Sequence, residues 1–488
     1  MDRRWFLRLT GLGTVATAAY TTVGLPAWPG TMPTAGAAPS SAPTDPPDWA
    51  ALRGRLAGDL LLPGDTGYDD ARQPFNARFA DRRPAAIVHA TRPADVQACV
   101  EVARTSRTPI AARSGGHSYA GYSTPDQGLV VDLSRMTGID VAADGTAVVQ
   151  AGARLIDVYA ALAAQGRALP AGSCPTVGIA GLTLGGGQGV LTRLHGLTID
   201  KLRAAEVVLA DSTQVSANDG DLFWTLRGGG GGNLGIVTAF TFETVPAPEV
   251  TVFALRFAAG SVPAVLTAWL DWVAGAPDEL WSNCIASAGR PPSARVGGCF
   301  VGTAGTLNPL LDDLVRRIGG APTRRTVIEM GYLDAMRYFA GCSTTPIEQC
   351  RIAPPTPFVA SSRILGAPLR DAGAVAAVID GRTGIDLLFD SLGGAVGRVA
   401  PDATAFPHRT ALAAVQIYAS GTDTAAVSEV QAALAELVGT GAYVNYIDPG
   451  QQDWAQAYYG ANLPRLRAAA HRYDPDAVFA FAQGLTVA

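Results

Sequence analysis

The stretch Ala111–Ser123, AARSGGHSYAGYS, is the part of the sequence from which the fold can be inferred. Gly115 and Gly116 stand directly before His117, so no side chain keeps a flat or charged group away from the backbone there. Consecutive glycines can present neighbouring N–H groups to an anion such as a pyrophosphate, and His117 would then touch whatever the phosphates carry. The motif alone is weak evidence, because two glycines before a polar residue are more often only a turn.

A second glycine-dense stretch, residues 172–189 with the sequence GSCPTVGIAGLTLGGGQG, strengthens the interpretation of the first. It contains Cys174, and a structural cysteine has little reason to lie in a polar glycine loop. The two stretches together predict one large cofactor that is held by two loops.

The bulk composition indicates a globular protein with more than one domain. The chain has 488 residues, of which 48% are hydrophobic and 16% charged, and this length leaves ample volume for a buried core. The formal net charge is −5, and no Lys/Arg cluster occurs after the first residues. Nucleic acid is therefore not an expected partner.

The first residues resemble an export signal. Arg3 and Arg4 precede a mildly apolar stretch at 9–25, and residues 35–37, Ala-Gly-Ala, offer a cleavage site of small residues. A membrane anchor is the alternative, but the stretch is short and weakly apolar for a span. We expect residues 1–37 to be a twin-arginine signal peptide, recognised by the twin-arginine translocase, and the protein to be secreted without a stable membrane anchor.

The remaining chain predicts an α+β protein in successive parts. Residues 38–47 are rich in Pro, Ala and Ser and predict a linker. The Pro-Ala-Pro at 246–248 marks a boundary, and residues 249–440 predict an antiparallel sheet with helices on one face. Strands are expected at 86–89, 109–112, 128–132, 147–150, 205–209, 214–216, 236–243, 250–257, 281–287, 295–302, 385–389 and 412–418, and helices at 49–61, 93–104, 155–165, 221–226, 262–274, 307–318, 371–381, 425–437 and 463–471.

The six cysteines suggest two disulfide pairings, which an exported protein can form. Cys284 and Cys299 flank a turn-rich segment, and Cys342 and Cys350 lie close in sequence; both pairings are open from the sequence. Cys99 lies in an apolar helical pattern and is expected to be buried and unreactive.

Taken in order, the motifs resemble those of one family. They are RSGGHSYAGYS (113–123), the glycine stretch 172–189, LHGLTID (194–200), RGGGGGNLGIVT (227–238), TAFPHR (404–409) and YVNYID…YYGANLPRL…YDPDAVF (443–479). The set resembles the berberine-bridge-enzyme-like FAD oxidases, which have the vanillyl-alcohol-oxidase/p-cresol-methylhydroxylase fold, and it runs from about residue 70 to the C terminus. The resemblance implies an FAD-binding domain at 48–248, completed by the C-terminal segment 441–488, with a substrate domain at 249–440 between them.

The resemblance also implies how FAD is held. The flavin would be attached twice, through His117 to its 8α-methyl group and through Cys174 to C6, which would retain the ring in an open groove and raise its potential. The alternatives are a histidine that only hydrogen-bonds a phosphate and a cysteine that is a spare thiol, since some members lack the cysteine link. Further cofactor contacts are expected at Arg113, Ser114, Gly115, Gly116, Ser118, Val177, Gly178, Gly181, Leu184, Gly185, Gly186, Gly189, Gly235, Ile236, Val237, Asn445 and Tyr446.

Alcohol oxidation needs a base for the hydroxyl proton and a C–H bond aimed at flavin N5. The resemblance implies Tyr446 as this base. A tyrosine needs its pKa lowered or its proton relayed, and Asp390 stands where some relatives carry such a carboxylate. A turn or cap residue is the alternative for Asp390, and Tyr418 and Tyr443 are further aromatic candidates for the groove.

Two positions refine the expected reaction. Residues 412–418 contain no carboxylate where plant bridge-forming members carry a glutamate base, which favours alcohol or hemiacetal oxidation. Val177 matches a valine of oxygen-reactive members, which favours O2 as acceptor and H2O2 as product. The expected function is a secreted FAD-dependent oxidase that transfers hydride from a sugar hemiacetal, or from a secondary alcohol of a glycoside or polycyclic metabolite, to flavin N5. A flavin dehydrogenase with another acceptor and a non-catalytic secreted binding protein are the alternatives.

The other four histidines do not predict a metal site. His89, His408 and His471 have no partner at metal-ligand spacing. His195 is interpreted as a structural turn residue, and His408 as a packing residue at the base of the sheet. No metal is expected.

Overall fold

The computed structural model of the chain describes residues 46–487. The predicted signal peptide, residues 1–37, and the predicted linker up to residue 45 lie outside the described residues. Within 46–487, no helix has both the length and the apolar character needed to cross a bilayer.

Two small sheets form the N-terminal part of the fold. The first has the order β1-β2-β4-β3, with β2, β4 and β3 parallel: β1 is Asp59–Leu61, β2 Ala86–His89, β3 Ile110–Arg113 and β4 Leu129–Asp132. The second is antiparallel with the order β5-β6-β10-β8-β9: β5 is Ile139–Val141, β6 Thr146–Gln150, β8 Leu202–Val208, β9 Gln214–Ala217 and β10 Ile236–Glu243. A short pair, β7 (Arg167–Ala168) and β11 (Val245–Pro246), lies apart from both.

The chain after residue 248 forms one seven-stranded antiparallel sheet with the order β15-β12-β14-β13-β17-β18-β16. Its strands are β12 (Glu249–Ala259), β13 (Leu280–Ser287), β14 (Ser293–Val301), β15 (Arg324–Gly331), β16 (Phe358–Leu365), β17 (Ile385–Ser391) and β18 (Ala413–Ser420). Side chains alternate between the two faces of such a sheet. In β17, Ile385, Leu387 and Phe389 are buried on one face, and Asp386 and Asp390 lie on the other.

Four helices cover one face of the large sheet, as the sequence predicts for this part of the chain. The other face, called the uncovered face below, is in contact with the helix Tyr332–Ala340 at β12 and β15. Val262–Ala274, Ala304–Ile318, Ala372–Ile379 and Thr424–Val438 pack their apolar sides against the buried residues of the strands. The other helices are Trp49–Arg55, Tyr68–Ala71, Pro93–Ser106, Leu155–Ala163, Ile179–Leu184, Thr192–His195, Gly220–Leu226, Tyr332–Ala340, Ile347–Cys350, Trp454–Tyr459 and Leu463–Tyr473, with 3-10 turns at Ala77–Phe79, Thr198–Lys201, Gly394–Arg398, Val444–Tyr446 and Gly460–Asn462. The α+β class is confirmed.

The C-terminal segment returns to the N-terminal sheets. Tyr459, Leu466 and Phe479 belong to the same apolar core as residues of the first two sheets, and Arg465 pairs with Asp221 at 2.8 Å. The uncovered face of the seven-stranded sheet is thereby left next to the glycine stretches.

Among the elements that differ from the expectation, three have a clear physical reason. The helix predicted at 49–61 ends at Arg55, and residues 59–61 form β1 because Gly58 lets the backbone run against the carbonyl of His89. Strands β15 and β16 were not predicted. The first is a charged edge strand, and the second is buried on both faces, so neither alternates apolar with polar residues.

One of the two proposed disulfides is present in the structure and the other is not. Cys342 and Cys350 are bonded, which confirms that pairing. The Cys284–Cys299 pairing is wrong: Cys284 lies opposite Val296 in the neighbouring strand, three residues from Cys299, so the two thiols point to opposite faces of the sheet. Cys99 is buried as expected, and burial raises the pKa of its thiol.

Candidate active site

A cavity of about 390 Å³ lies between the glycine stretches, the C-terminal segment and the uncovered face of the large sheet. This volume is typical of sites that bind organic ligands. Both glycine stretches, the segment around Tyr446 and the strands β13, β17 and β18 contribute to its walls.

The two glycine stretches form one wall because their backbones are in contact. A Cβ atom added at Gly115 would overlap the backbone nitrogen of Gly178, and a Cβ at Gly178 would overlap the backbone nitrogen of Gly115. Gly116 has φ +70°, a conformation that side chains disfavour. The packing of these glycines brings His117 and Cys174 to the same cavity.

His117 and Cys174 are held from behind by different contacts. The His117 ring stacks on Phe75 with centroids 3.8 Å apart, and its Nε2 lies 3.0 Å from Thr176 Oγ1 of the second stretch. Cys174 is half-buried in the loop. That loop is fixed at the start of the helix Leu155–Ala163, where the N–H of Leu155 donates to the carbonyl of Val177 at 3.0 Å.

Most of the predicted site residues line this cavity. They are Ser114, Gly115, Gly116, His117, Ser118, Cys174, Val177, Gly178, Gly181, Leu184, Gly189, Gly235, Ile236, Val237, Asp390, Asn445 and Tyr446. These residues come from five separate segments of the sequence. Such an assembly is expected from the resemblance, which implies a site for one long ligand.

Arg113, Gly185 and Gly186 do not line the cavity, contrary to expectation. The Arg113 side chain lies outside the cavity lining, and its Nε donates to Asp132 at 2.7 Å in a buried ion pair. Burial acts to raise the pKa of Asp132, but the neighbouring His89 ring and the charge of Arg113 hold that pKa well below its usual value.

The two glycines are packed against side chains of the C-terminal segment instead. A Cβ at Gly185 would overlap the Asn445 side chain, and one at Gly186 would press on Tyr443. Arg113, Gly185 and Gly186 therefore support the wall from behind rather than contact a ligand in the cavity.

The cavity walls suit a large polar cofactor such as FAD. Gly181 faces open space, so that a side chain there would extend into the cavity. Ser123 Oγ and Gln483 Oε1 are buried at the wall, and neither has a hydrogen-bond partner within residues 46–487. Buried polar atoms are normally paired, so both are free to bind polar groups of a ligand.

Tyr446 lies in a cluster of aromatic and amide side chains. Its hydroxyl accepts a hydrogen bond from Gln188 Nε2 at 3.0 Å. Its ring is parallel to that of Tyr119, with centroids 5.6 Å apart, and the Tyr119 hydroxyl accepts from Gln416 Nε2 at 2.7 Å. These contacts fix the phenol at the cavity wall.

Tyr443, the other tyrosine of the segment, has a supporting position. Its hydroxyl accepts hydrogen bonds from the Gly187 N–H at 2.8 Å and from Asn445 Nδ2 at 2.9 Å. Burial raises the pKa of Tyr443, although these two hydrogen bonds act against the rise. The hydroxyl is therefore committed to holding the second glycine stretch.

The uncovered face of the large sheet forms another wall of the cavity, and polar side chains lie next to one another on its neighbouring strands. Asp390 of β17 lies opposite Asn283 of β13, whose Nδ2 is 3.5 Å from Asp390 Oδ1. Gln416 and Tyr418 of β18 line the same cavity. Asp390 is a strand residue, so the turn or cap interpretation is wrong.

Sequence reasoning missed several residues of the cavity wall, among them Tyr119, Gln188, Trp281, Asn283, Asp386 and Gln416. The available signal was the period of two along β17 and β18, where Asp386, Asp390, Gln416 and Tyr418 are spaced so that each pair shares a face.

His408 and His195 have structural surroundings. His408 packs edge-to-face on Phe406 with centroids 5.5 Å apart, and burial lowers its pKa to about 4. His195 ends the short helix Thr192–His195, and burial and the charge of Lys201 lower its pKa. Within residues 46–487, no group of three or more His, Cys, Asp or Glu is arranged to hold a metal ion.

Comparison with known proteins agrees with this geometry. Residues 84–218 match the FAD binding domain family, and residues 442–486 match the berberine and berberine-like family. The FAD-linked oxidoreductase YgaK of Bacillus subtilis is 34% identical over 450 residues, which cover 88% of this chain and 97% of YgaK.

Two solved structures extend the likeness to the whole fold. Physcomitrella patens BBE-like 1 has a TM-score of 0.85 and 31% identity, covering 90% of this chain and 99% of its own. Glucooligosaccharide oxidase from Acremonium strictum, described with a 6-S-cysteinyl, 8α-N1-histidyl FAD, has a TM-score of 0.80 and 30% identity, covering 89% and 98%. The chain therefore belongs to the berberine-bridge-enzyme-like family and is an FAD-binding oxidoreductase.

Proposed function

We propose that this protein is an exported oxidase that uses FAD to oxidise a hydroxyl-bearing carbon of a sugar hemiacetal, with O2 as acceptor and H2O2 as product. The observation that carries the proposal is the presence of His117, Cys174 and Tyr446 in the walls of one cavity. A relative named glucooligosaccharide oxidase supports the choice of a sugar over other alcohols.

The cofactor is proposed to be bound covalently through both His117 and Cys174. Two bonds from one rigid wall would keep the ring in place while the rest of the cavity stays open to a large substrate. The same two attachment types are named for the Acremonium strictum enzyme. When bound, FAD would accept a hydride at N5 and pass the electrons to O2.

Tyr446 is proposed to take the proton of the substrate hydroxyl. A hydrogen bond donated to its oxygen by Gln188 stabilises the phenolate more than the phenol, and this lowers the barrier to its action as a base. The parallel ring of Tyr119 keeps the phenol from turning away. Asp390 is proposed to help by relaying the proton from the site.

The uncovered sheet face would bind the rest of the sugar. Asn283, Gln416 and Asp386 present amide and carboxylate groups to the cavity, which can pair with several hydroxyl groups at once. Trp281 and Phe339 add apolar surface beside them. Such a wall suits a hydroxyl-rich ligand longer than a single small alcohol.

Acid precipitation of the purified protein tests the attachment. We expect a yellow pellet for the wild type, for His117→Ala and for Cys174→Ala, because one bond is enough to retain the flavin. The double variant should release its colour to the supernatant, and Cys99→Ala, at a buried cysteine outside the cavity, should behave as the wild type. A colourless wild-type pellet would contradict the proposal.

Two kinetic measurements separate the alternatives. If the protein is an oxidase, sugar should bleach the flavin without oxygen, and mixing the reduced enzyme with O2 should restore the colour rapidly with release of H2O2. Slow reoxidation by O2 would favour a dehydrogenase with another acceptor. A flavin that a panel of sugars and secondary alcohols leaves oxidised would favour a binding protein.

A further inference from the structure

Three arginines lie side by side at one end of the uncovered sheet face. Arg256 of β12 is directly opposite Arg295 of β14 on one side and Arg324 of β15 on the other. Residues so paired have Cα atoms about 5 Å apart, and like charges in this arrangement destabilise a sheet. The stability of the sheet therefore does not explain why three arginines occupy neighbouring positions.

The row is only partly neutralised by the protein. Asp386 is the carboxylate that acts on Arg295, whereas neither Arg256 nor Arg324 forms an ion pair within residues 46–487. Arg256 Nε is buried and has no hydrogen-bond partner there. Arg325, the next residue of β15, faces the other way and is paired with Asp312.

The three charges converge on one phenol. Tyr338 belongs to the helix Tyr332–Ala340, which packs on β12 and β15. Burial raises the pKa of Tyr338, and the charges of Arg295, Arg324 and Arg256 all act against that rise. The helix packing and the strand register thus place the Tyr338 side chain and the three guanidinium groups near one another at this end of the sheet.

This group lies two strands from the nearest cavity wall on the sheet. Ile285 of β13 lies between Leu388, which lines the cavity, and Arg295. Two strand spacings, about 10 Å, therefore separate Arg295 from the cavity wall at Leu388. Asp386, which acts on Arg295, and Phe339 and Ala340, which follow Tyr338, line the cavity. The end of the cavity farthest along the sheet from Asp390 is therefore the end nearest to the arginines.

We infer that Arg256, Arg295, Arg324 and Tyr338 form an anion subsite, and that the substrate is a saccharide whose non-reacting unit carries a carboxylate, as in a uronic acid. Guanidinium groups pair with carboxylates through two parallel hydrogen bonds. The separation of about 10 Å between Arg295 and the cavity wall at Leu388 assigns the carboxylate to a different sugar unit from the one that is oxidised. The saccharide part of this inference rests on the proposed function, whereas the anion subsite does not.

The test compares two disaccharides that differ in one group: cellobiose, and cellobiouronic acid with its carboxylate on the non-reducing unit. Binding is measured by calorimetry with the FAD-loaded Tyr446→Phe variant at low salt, so that oxidation does not interfere. We expect the acid to bind about tenfold more tightly than cellobiose, and the preference to shrink as salt rises.

Single substitutions made in the Tyr446→Phe background show which residues cause the preference for the acid. Arg256→Ala and Arg324→Ala should each remove most of the preference, whereas Arg325→Ala, on the other face of the same strand, should keep it. Arg324 is exposed, so its variant tests the subsite even if Arg256→Ala fails to fold. Equal binding of both sugars, or a preference that persists in Arg324→Ala and Arg256→Ala, would overturn the subsite.

Two further arms keep the claims separate. Cellobiose sulfated at the same carbon should bind less tightly than the acid, and equal binding would overturn the assignment to a carboxylate. If wild-type enzyme binds the acid preferentially but neither sugar bleaches its flavin, the proposed oxidation fails and the subsite stands. If cellobiose bleaches the flavin but the acid binds no more tightly than cellobiose, the anion subsite fails and the proposed oxidation stands.

Discussion

Tyr446 is the residue on which the proposed chemistry depends, and its neighbours define what a substitution should do. Tyr446→Phe keeps the stacking on Tyr119 but removes the oxygen that would take the proton. We expect the rate of anaerobic flavin reduction by sugar to fall by about 10²–10⁴, with little change in substrate affinity.

Tyr443→Phe is the matched control for Tyr446→Phe. It removes a hydroxyl that accepts hydrogen bonds from Gly187 and Asn445. The melting temperature should therefore fall, whereas the rate of flavin reduction should stay close to that of the wild type. A reduction rate that is lost equally in both variants would contradict the assignment of Tyr446 as the base.

Gln188 should tune the base rather than replace it. Gln188→Leu removes the hydrogen bond donated to the Tyr446 oxygen. Loss of a donor to the charged form raises the pKa of the phenol, so the rate of flavin reduction should fall at neutral pH and recover as pH rises. A pH profile of flavin reduction with an unshifted basic limb would show that Gln188 has no such role.

At the residue scale, the sequence identified those positions that a motif names and missed those that a neighbouring strand supplies. His117, Cys174 and Tyr446 stand in recognisable segments, and all three line the cavity. Gln416 and Asn283 lie far apart in sequence, and only strand register brings them to one face. Arg113 shows the opposite error, because adjacency to a glycine motif does not tell which way a side chain points.

Among the connecting elements, the segment 404–409 makes a pH-dependent contribution to stability. Burial lowers the pKa of His408 to about 4, below the value of about 6.5 for an unfolded chain. Between these values the unfolded state binds a proton that the folded state does not, so stability falls as pH falls from 6.5 to 4.

The His408→Gln variant isolates this contribution. Its stability relative to the wild type should improve by an amount of the order of 3 kcal/mol between pH 7 and pH 4, measured as denaturant midpoints of both proteins at each pH. Parallel stability curves for the two proteins would rule out His408 as the titrating group.

Strong periodicity decided which elements the sequence could predict. Strand β10 was predicted with its observed bounds, because its residues alternate between buried and half-buried positions. Strand β16 is buried throughout and contains two serines, so its pattern is that of neither a half-buried strand nor an amphipathic helix. Long-range pairing stabilises such a strand, and a local pattern does not report it.

For the whole molecule, one buried ion pair joins parts that are far apart in sequence. Arg409, whose side chain is 0% exposed, donates from both terminal nitrogens to Asp200, each at 2.8 Å. Asp200→Asn would leave a buried guanidinium without its charge partner, and we expect a loss of about 3–5 kcal/mol in unfolding free energy.

Asp221→Asn is the matched control for this prediction. It breaks the half-exposed Asp221–Arg465 pair, and exposed pairs contribute only about 0–1 kcal/mol. Denaturant midpoints of both variants give the comparison, and equal losses would mean that burial of the Arg409 pair does not matter.

The order of the motifs predicted the family and the fold class of the whole molecule, but it did not determine where each domain begins and ends. The family and the α+β class follow from segments spread over the chain, and the likeness to solved structures covers 90% of it. The limits at 248 and 440 stay predictions, because strands alone do not show where one folding unit ends. Export stays a prediction too.

The contact between Gly115 and Gly178 has a consequence for inheritance as well as for engineering. Neither of these two glycines can gain even a methyl group without displacing the other loop, so the positions of His117 and Cys174 are coupled. A lineage, or a directed-evolution library, that repositioned one of these two side chains through its loop would have to accommodate a shift of the other loop as well.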